Sequence, residues 1–578
     1  MKSCCQESLM EGGVKGLHRA WTLLSQHLPP ELKDTLVTHW HHAGNSTSTL
    51  RDQLNGQLAA QEPLKVVIGV VVAVLLLQQV LHLLRAVVTA IQDDGIVGSV
   101  VKVAFRVLKS LPFVGAFIQK EKDKVVSKIT EGFQHSSIDR LRELPKAGKS
   151  QEEVLTLLQD IKSKDKEWQG RCSGTVYMGG PEYDEYSRVL TAAYGLFAHT
   201  NPLHPDVFPS GQRFEKEVVA MGASLFGGDD QVCGNVTTGG TESILMAIKT
   251  ARDYARAVRG ITQPELVMAE SAHPAYDKGC HYFGIKLRRA RVGRDYRADV
   301  ASIRRHINAN TVMIVASAPG YPHGTIDDVE ALGRLALKKG ICLHVDCCLG
   351  GFVLPFAREL GYPIPAFDFS VPGVTSISAD LHKYGLAPKG NSLILYRNRQ
   401  LRRHQFLAVT EWTGGLYVSP TATGSRAGGL QAAAWAALLL NGREGYLQVT
   451  KRIMEAAKAI RKGIDAIDGL FVLGDPVVTV VAFGSRELDV YKVNDVMSAK
   501  GWSLNALQRP PSVHICVTLQ HVDVVDAFLR DLAEAVETVR SSPDKLDQGM
   551  APIYGAAGKM PDRGTVGDLL VAYMDAAC

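Results

Sequence analysis

Hydrophobic positions fall into three regimes along the chain. Residues 66–84 read VVIGVVVAVLLLQQVLHLL. A helix of that length extends roughly 28 Å, close to the hydrocarbon thickness of a bilayer, so a single membrane-crossing helix is expected within 65–90. Gln78, Gln79 and His82 interrupt the run and would need polar partners in lipid, which leaves a buried core helix as the alternative. Glu7, Glu11, Glu31 and Asp34 precede it, unlike the leader of a secreted protein. From about Leu155 the pattern changes to TESILMAIKTARDYARAV, PELVMAE, TVMIVASAP, VEALGRLALKKG and ICLHVDCCLGG. Short apolar runs alternating with helical periodicity predict a mostly parallel α/β sheet covered by helices, with ligands at the carboxyl ends of its strands. After Gly445 come the helical YLQVTKRIMEAAKAIRKGIDAI, the strand-like VVTVVAF and SVHICVTL, and another helix, which together predict a smaller α+β domain. The expected organisation is a lumenal tail 1–64, a transmembrane helix 65–90, a membrane-proximal helical linker 91–154, a large domain 155–444 and a small C-terminal domain 445–578.

Composition narrows the class. A chain of 578 residues with 46% hydrophobic and 21% charged positions is an ordinary folded protein of more than one unit. Its net charge of +5 is scattered, so a nucleic-acid partner is not expected. The ten cysteines include no zinc-finger spacing, and adjacent Cys347 and Cys348 would point to opposite faces of an extended strand, so no metal site is expected. Arg106, Lys109, Lys120, Lys122 and Lys124 follow the apolar run, and the sequon Asn45-Ser46-Thr47 precedes it. With sparse, reduced cysteines, this bias puts the expected location of the large downstream part in the cytosol.

Three elements carry candidate chemistry. Thr237-Thr238-Gly239-Gly240-Thr241-Glu242-Ser243 opens an apolar helix, and small residues there let backbone N–H groups surround a phosphate; alone, this is also ordinary helix capping by Thr241. Asp346 follows the strand-like GICLHV, where a carboxylate faces a ligand cleft and suits a protonated pyridine nitrogen. Lys383 lies in SISADLHKYG, where Ser376, Ser378 and Asp380 are read as a polar turn, beside His382. A lysine held among small polar groups suits a Schiff base with a cofactor carbonyl. His273, in AESAHPAYDKG, suits a ring stacked on that cofactor. Singly, each has a plain structural reading; in this order, each at a predicted strand end, they point to pyridoxal 5'-phosphate.

The phrases TTGGTES, SAHPAYDKG, HVDCCLGGF, TSISADLHKYGLAPKG and GGLYVSP with GSRAGG resemble sphingosine-1-phosphate lyases over roughly residues 90–578. The resemblance implies a fold-type I pyridoxal-phosphate large domain. It implies Lys383 as the Schiff-base lysine, Asp346 as the pyridinium partner, His273 as the stacking ring, and Gly240, Thr241, His344 and His382 as further cofactor contacts. Residues matching Tyr177, His204 and Lys389 bind the substrate phosphate in that family, and Tyr321 serves at the reacting carbons. The segment from Tyr417 to Arg426 resembles one lent by a second subunit, implying a homodimer with shared sites. The activity implied is retro-aldol cleavage of a phosphorylated sphingoid base to a long-chain aldehyde and phosphoethanolamine, at the endoplasmic reticulum membrane. An amino-acid decarboxylase and a non-catalytic membrane scaffold are the competing expectations.

Overall fold

The computed structural model describes residues 141–541 apart from 166, 181 and 182, a C-terminal helix Arg563–Ala577, and the isolated residues Gln79, Phe113, Gln119 and Lys120. The apolar run 66–84, Gln79 apart, and most of the linker 91–154 therefore lie outside the described residues. Among those described, no helix is long and apolar enough to cross a membrane.

An exposed helix, α1 (Gln151–Ser163), starts the described chain; Ser150 and Glu153 close a reciprocal capping box at its N-terminus. Helices α2 (Tyr183–Phe197) and α3 (Pro209–Leu225) lead into the sheet. There follow β1 (Cys233–Thr237), α4 (Gly240–Arg259), β2 (Glu265–Ala269), α5 (Ala275–Phe283), β3 (Lys286–Ala290), α6 (Val300–His306), β4 (Thr311–Ser317), α7 (Val329–Lys339), β5 (Cys342–Asp346), α8 (Leu354–Glu359), β6 (Ser376–Ala379) and β7 (Ser392–Tyr396). The strands form one seven-stranded sheet in the order β1-β7-β6-β5-β4-β2-β3. Strand β7 runs antiparallel to both β1 and β6, whereas β2 to β6 pair in parallel. Every residue of β1, β2, β4, β5, β6 and β7 is buried, as expected of strands covered on both faces.

Edge strand β3 has no counterpart in the sequence reading. Its KLRRA carries charge that disguises a strand, and Arg288 is neutralised by Glu265 of the neighbouring strand at 2.9 Å. Ser376 and Ser378 also depart from expectation. They lie inside β6 rather than in a turn, because both hydroxyls meet the ring of buried His344, at 2.9 and 3.1 Å.

A two-stranded hairpin, β8 (Leu407–Val409) and β9 (Tyr417–Ser419), precedes the long helix α9 (Gly428–Asp465). That helix begins well before Tyr446, because apolar periodicity continues upstream through AAAWAALLL, and it bends at Gly442, where φ is +52°. A second sheet, all antiparallel in the order β10-β11-β13-β12, contains β10 (Phe471–Val472), β11 (Val480–Gly484), β12 (Asn505–Leu507) and β13 (Ser512–Cys516). Helices α10 (Val490–Ala499) and α11 (Val525–Ser541) accompany it.

Two sets of contacts bring the segments around Lys383 together. Tyr384 Oη donates to Val517 O at 2.7 Å, joining the segment after β6 to the end of β13. A buried hydroxyl chain runs from Thr237 Oγ1 to Ser243 Oγ (2.6 Å) and on to Ser392 Oγ (2.9 Å), which donates to Ala379 O (3.2 Å). The ends of β1, β6 and β7 and the first turn of α4 are thereby held at one point.

Candidate active site

The chain leaves β1 through Thr238 and Gly239 and enters α4 at Gly240. Gly239 has φ +156° and ψ 168°, a conformation open to glycine, and it caps the helix without any side-chain hydrogen bond. Thr241 is thus inside the first turn rather than the cap. The leading N–H groups of a twenty-residue helix, with their share of its dipole, face a cleft. A Cβ at Gly240 would stand 2.8 Å from both Asp380 Oδ1 and Cys348 Sγ. Glu242 braces the loop, its Oε2 accepting from Thr238 N at 2.6 Å and Thr238 Oγ1 at 2.7 Å.

At the carboxyl end of β5, Asp346 is buried and accepts from Cys348 N (3.0 Å) and the Ser378 hydroxyl (3.4 Å). Burial alone would raise its pKa, but the electrostatic influence of the His273 and His344 rings and the hydrogen bond from Cys348 outweigh this and hold it below the usual carboxylate value. Burial pushes His344 down to about 4, so its ring is neutral. His344 lies under the cleft floor, both ring nitrogens engaged by β6, and does not line the cavity.

At the end of β6 stand Asp380, His382 and Lys383. Lys383 Nζ lies 3.0 Å from Asp380 Oδ2, and His382 Nε2 lies 3.6 Å from the same oxygen. The walls of the cleft, about 350 Å³, include Thr238, Gly240, Thr241, His273, Asp380, His382 and Lys383. The structure therefore gathers most of the sequence-predicted cofactor residues from three strand ends. His273 takes its place at the start of α5, its Nδ1 accepting from Ala275 N at 3.1 Å.

His382 also lines an adjoining, mainly apolar pocket of about 420 Å³ that contains Tyr177 and Lys389. Lys389 Nζ sits 4.9 Å from the Tyr177 ring centroid, and Tyr177 packs edge-on to Tyr384. Desolvation, then the neighbouring Lys383 charge, lowers the Lys389 pKa. Three further predicted residues line neither cavity, of which Asp346 is buried at the end of β5. His204 is exposed in the turn between α2 and α3, and Tyr321 is half-exposed on the loop after β4, edge-on to His514 at 4.7 Å.

Sequence reasoning assigned no site role to Glu242 or Cys348 and used Asp380 only as a turn marker. The sequence signals were slight: Glu242 falls four residues after Thr238, and Asp380 three residues before Lys383.

Pyridoxal 5'-phosphate has a phosphate, an aldehyde and a basic ring nitrogen, and these residues suit each. Uncapped N–H groups at a glycine cradle fit the phosphate, a partly buried amine fits the aldehyde, and a buried anionic carboxylate fits a protonated ring nitrogen. Residues 198–486 match the family model described as the pyridoxal-dependent decarboxylase conserved domain, which defines the class of the fold. The chain is 56% identical over 530 residues to a sphingosine-1-phosphate lyase of Arabidopsis thaliana, covering 91% of this chain and 96% of that protein. It is 42% identical over 531 residues to sphingosine-1-phosphate lyase 1 of Rattus norvegicus, covering 91% and 92%. A solved sphingosine-1-phosphate lyase structure from Burkholderia pseudomallei superposes with a TM-score of 0.68 at 46% identity, over 70% of this chain and 94% of that one. The chain belongs to the sphingosine-1-phosphate lyase family.

Proposed function

We propose that this chain is a pyridoxal 5'-phosphate-dependent carbon–carbon lyase that cleaves sphingosine 1-phosphate and related phosphorylated sphingoid bases, yielding a long-chain aldehyde and phosphoethanolamine. The observation that carries the assignment of residues is the cleft that Lys383 shares with the α4 N-terminus and His273, joined through His382 to a pocket bearing Lys389. When bound, the cofactor supplies an electron sink for breaking the C2–C3 bond.

Lys383 Nζ holds the cofactor aldehyde carbon, and the Gly240 and Thr241 N–H groups with His382 hold its phosphate. Asp346 keeps the ring nitrogen protonated, and His273 orients the ring. Lys389, with Tyr177 and His204, binds the substrate phosphate by charge and hydrogen bonding. Tyr321 Oη or the released Lys383 amine takes the proton of the reacting hydroxyl.

Exposed Leu407, Trp412, Leu416 and Val418 on the β8–β9 hairpin support a homodimer in which residues 417–426 reach the partner's site. The apolar run 66–84 supports anchorage in the endoplasmic reticulum membrane with the enzyme body on the cytosolic side, where an amphiphilic substrate is concentrated.

The test is incubation of purified protein with sphingosine 1-phosphate beside Lys383→Ala. Wild type should release long-chain aldehyde and phosphoethanolamine, and the variant neither. Release of carbon dioxide from glutamate or an aromatic amino acid, without aldehyde from the lipid, would favour a decarboxylase; no turnover and no cofactor absorbance would favour a scaffold.

A further inference from the structure

Asp380 has a position that none of the roles above uses. Its side chain is almost wholly buried at the end of β6, in the wall of the cofactor cleft. One oxygen, Oδ2, meets Lys383 Nζ at 3.0 Å within a single turn of chain. The other, Oδ1, is buried without a hydrogen-bond partner. A carboxylate so enclosed is unfavourable unless a cation stands beside it. Lys383 is that cation, and His382, 3.6 Å away, has its protonation disfavoured by burial.

We propose that Asp380 is a cradle for the Lys383 ammonium, a positioning residue that holds Nζ charged and in place whenever that nitrogen is not bonded to a carbonyl carbon. This rests on the reading of Lys383 as the cofactor lysine, but the ionic hold itself does not. Joining Nζ to an aldehyde carbon first requires the ammonium to give one proton to solvent. The new C–N bond then forms, and the carbonyl oxygen leaves as water with the two remaining N–H protons. By stabilising the ammonium, Asp380 slows attachment at neutral pH. By recapturing it, Asp380 keeps the released lysine from wandering while substrate amine occupies the site.

Burial alone would lower the Lys383 pKa, but Asp380, then Cys348 and Asp346, outweigh it and raise it above ordinary lysine. Other titratable groups around this amine are His382 and Lys389 on its own segment, Glu242 and His273 in the cleft wall, and Cys516 of β13. Of these neighbours, only Asp380 bonds Nζ directly among the described residues.

The test is competitive acetylation of the full-length chain, with cofactor removed by hydroxylamine dialysis, followed by mass spectrometry of the Lys383 and Lys389 peptides across pH 6 to 11. In wild type, the pH midpoint for Lys383 should lie above that for Lys389. In Asp380→Asn, the Lys383 midpoint should fall by at least one pH unit, and Asp380→Glu should restore most of the difference. Added pyridoxal 5'-phosphate should join Asp380→Asn at pH 7 roughly tenfold faster than wild type, followed by absorbance. A Lys383 midpoint at or below that of Lys389 in wild type overturns the proposal without any variant, as does an unchanged midpoint in a folded Asp380→Asn. If the acetylation shift appears but pyridoxal 5'-phosphate never attaches to Lys383, the cradle stands and the cofactor assignment fails.

Discussion

Glu242 ties the glycine loop to a distant segment of the chain: its Oε2 accepts from Thr238 N at 2.6 Å while its Oε1 accepts from Ala422 N at 3.0 Å. The loop before α4 and the segment after the β8–β9 hairpin therefore share one carboxylate. Hydrogen bonds to a charged group contribute about 1.5–3 kcal/mol. Glu242→Ala should weaken pyridoxal 5'-phosphate binding by roughly tenfold or more, with a smaller loss in Glu242→Gln, which keeps one acceptor. Fluorescence titration of cofactor-stripped protein checks this; an unchanged dissociation constant would show that the loop stands without its brace.

Gly240 has no room for a methyl group against Asp380 Oδ1 and Cys348 Sγ. Both neighbours are buried, so Gly240→Ala must displace the loop or the carboxylate. Loss of cofactor affinity by at least tenfold is expected, with the urea midpoint of the stripped protein falling modestly, since overpacking costs about 1–3 kcal/mol. Retention of full affinity would refute the tight cradle.

Lys389 should act on substrate affinity more than on turnover. Lys389→Ala removes an ammonium proposed to face a phosphate, raising KM roughly tenfold to a hundredfold, with kcat changed far less. Because its pKa is lowered, the ammonium is lost at a lower pH than for ordinary lysine, so wild-type KM should climb earlier on the alkaline side. Steady-state kinetics from pH 7 to 10 test both points; a KM flat in pH and unaffected by the substitution would remove Lys389 from the phosphate site.

Acid should destabilise the fold between pH 6.5 and 4. Burial holds His323, His344, His514 and His521 down to about 4 in the folded chain. On unfolding in that window they take up protons, so stability falls as pH drops. Asp327 opposes them. Burial raises it to about 6 despite N–H bonds from Ala298 and Ser317, and on unfolding it releases a proton. Four uptakes against one release leave three protons, on the order of 4 kcal/mol per pH unit at the steepest point. Urea midpoints measured from pH 7 to 4.5 should follow this fall, and His521→Gln should flatten it by about one proton. A flat profile would mean these rings are protonated when folded.

Strands β2, β4 and β5 were legible because a strand covered on both faces needs an unbroken apolar run, as in ELVMA, TVMIVAS and CLHV. The position of Asp346 followed from the same runs, since the residue that closes such a strand stands at the carboxyl edge of the sheet. What escaped reading depended on partners remote in sequence. KLRRA reads as solvent-facing until Glu265 is placed beside Arg288. Ser376 and Ser378 read as turn residues until His344 fills the space between them. No spacing rule links Glu242 to Ala422, because their contact is made only when the segment after β9 packs back onto α4. His204 and Tyr321 carry family motifs yet line neither pocket of this chain.

The antiparallel strand β7 has a consequence for how the protein is made. Among the described residues it is the sole neighbour of β1 in the sheet, and Ser243 bonds Ser392 across 149 positions. During synthesis the glycine loop emerges from the ribosome long before the strand that fastens it, and Lys383 emerges in between. Closing so distant a pair is slow, because the loop entropy must be met before any contact compensates it. The two halves of the cofactor cleft should therefore be joined late and together, and a nascent chain halted before Ser392 should carry the glycine loop, Asp346 and Lys383 with no affinity for pyridoxal 5'-phosphate.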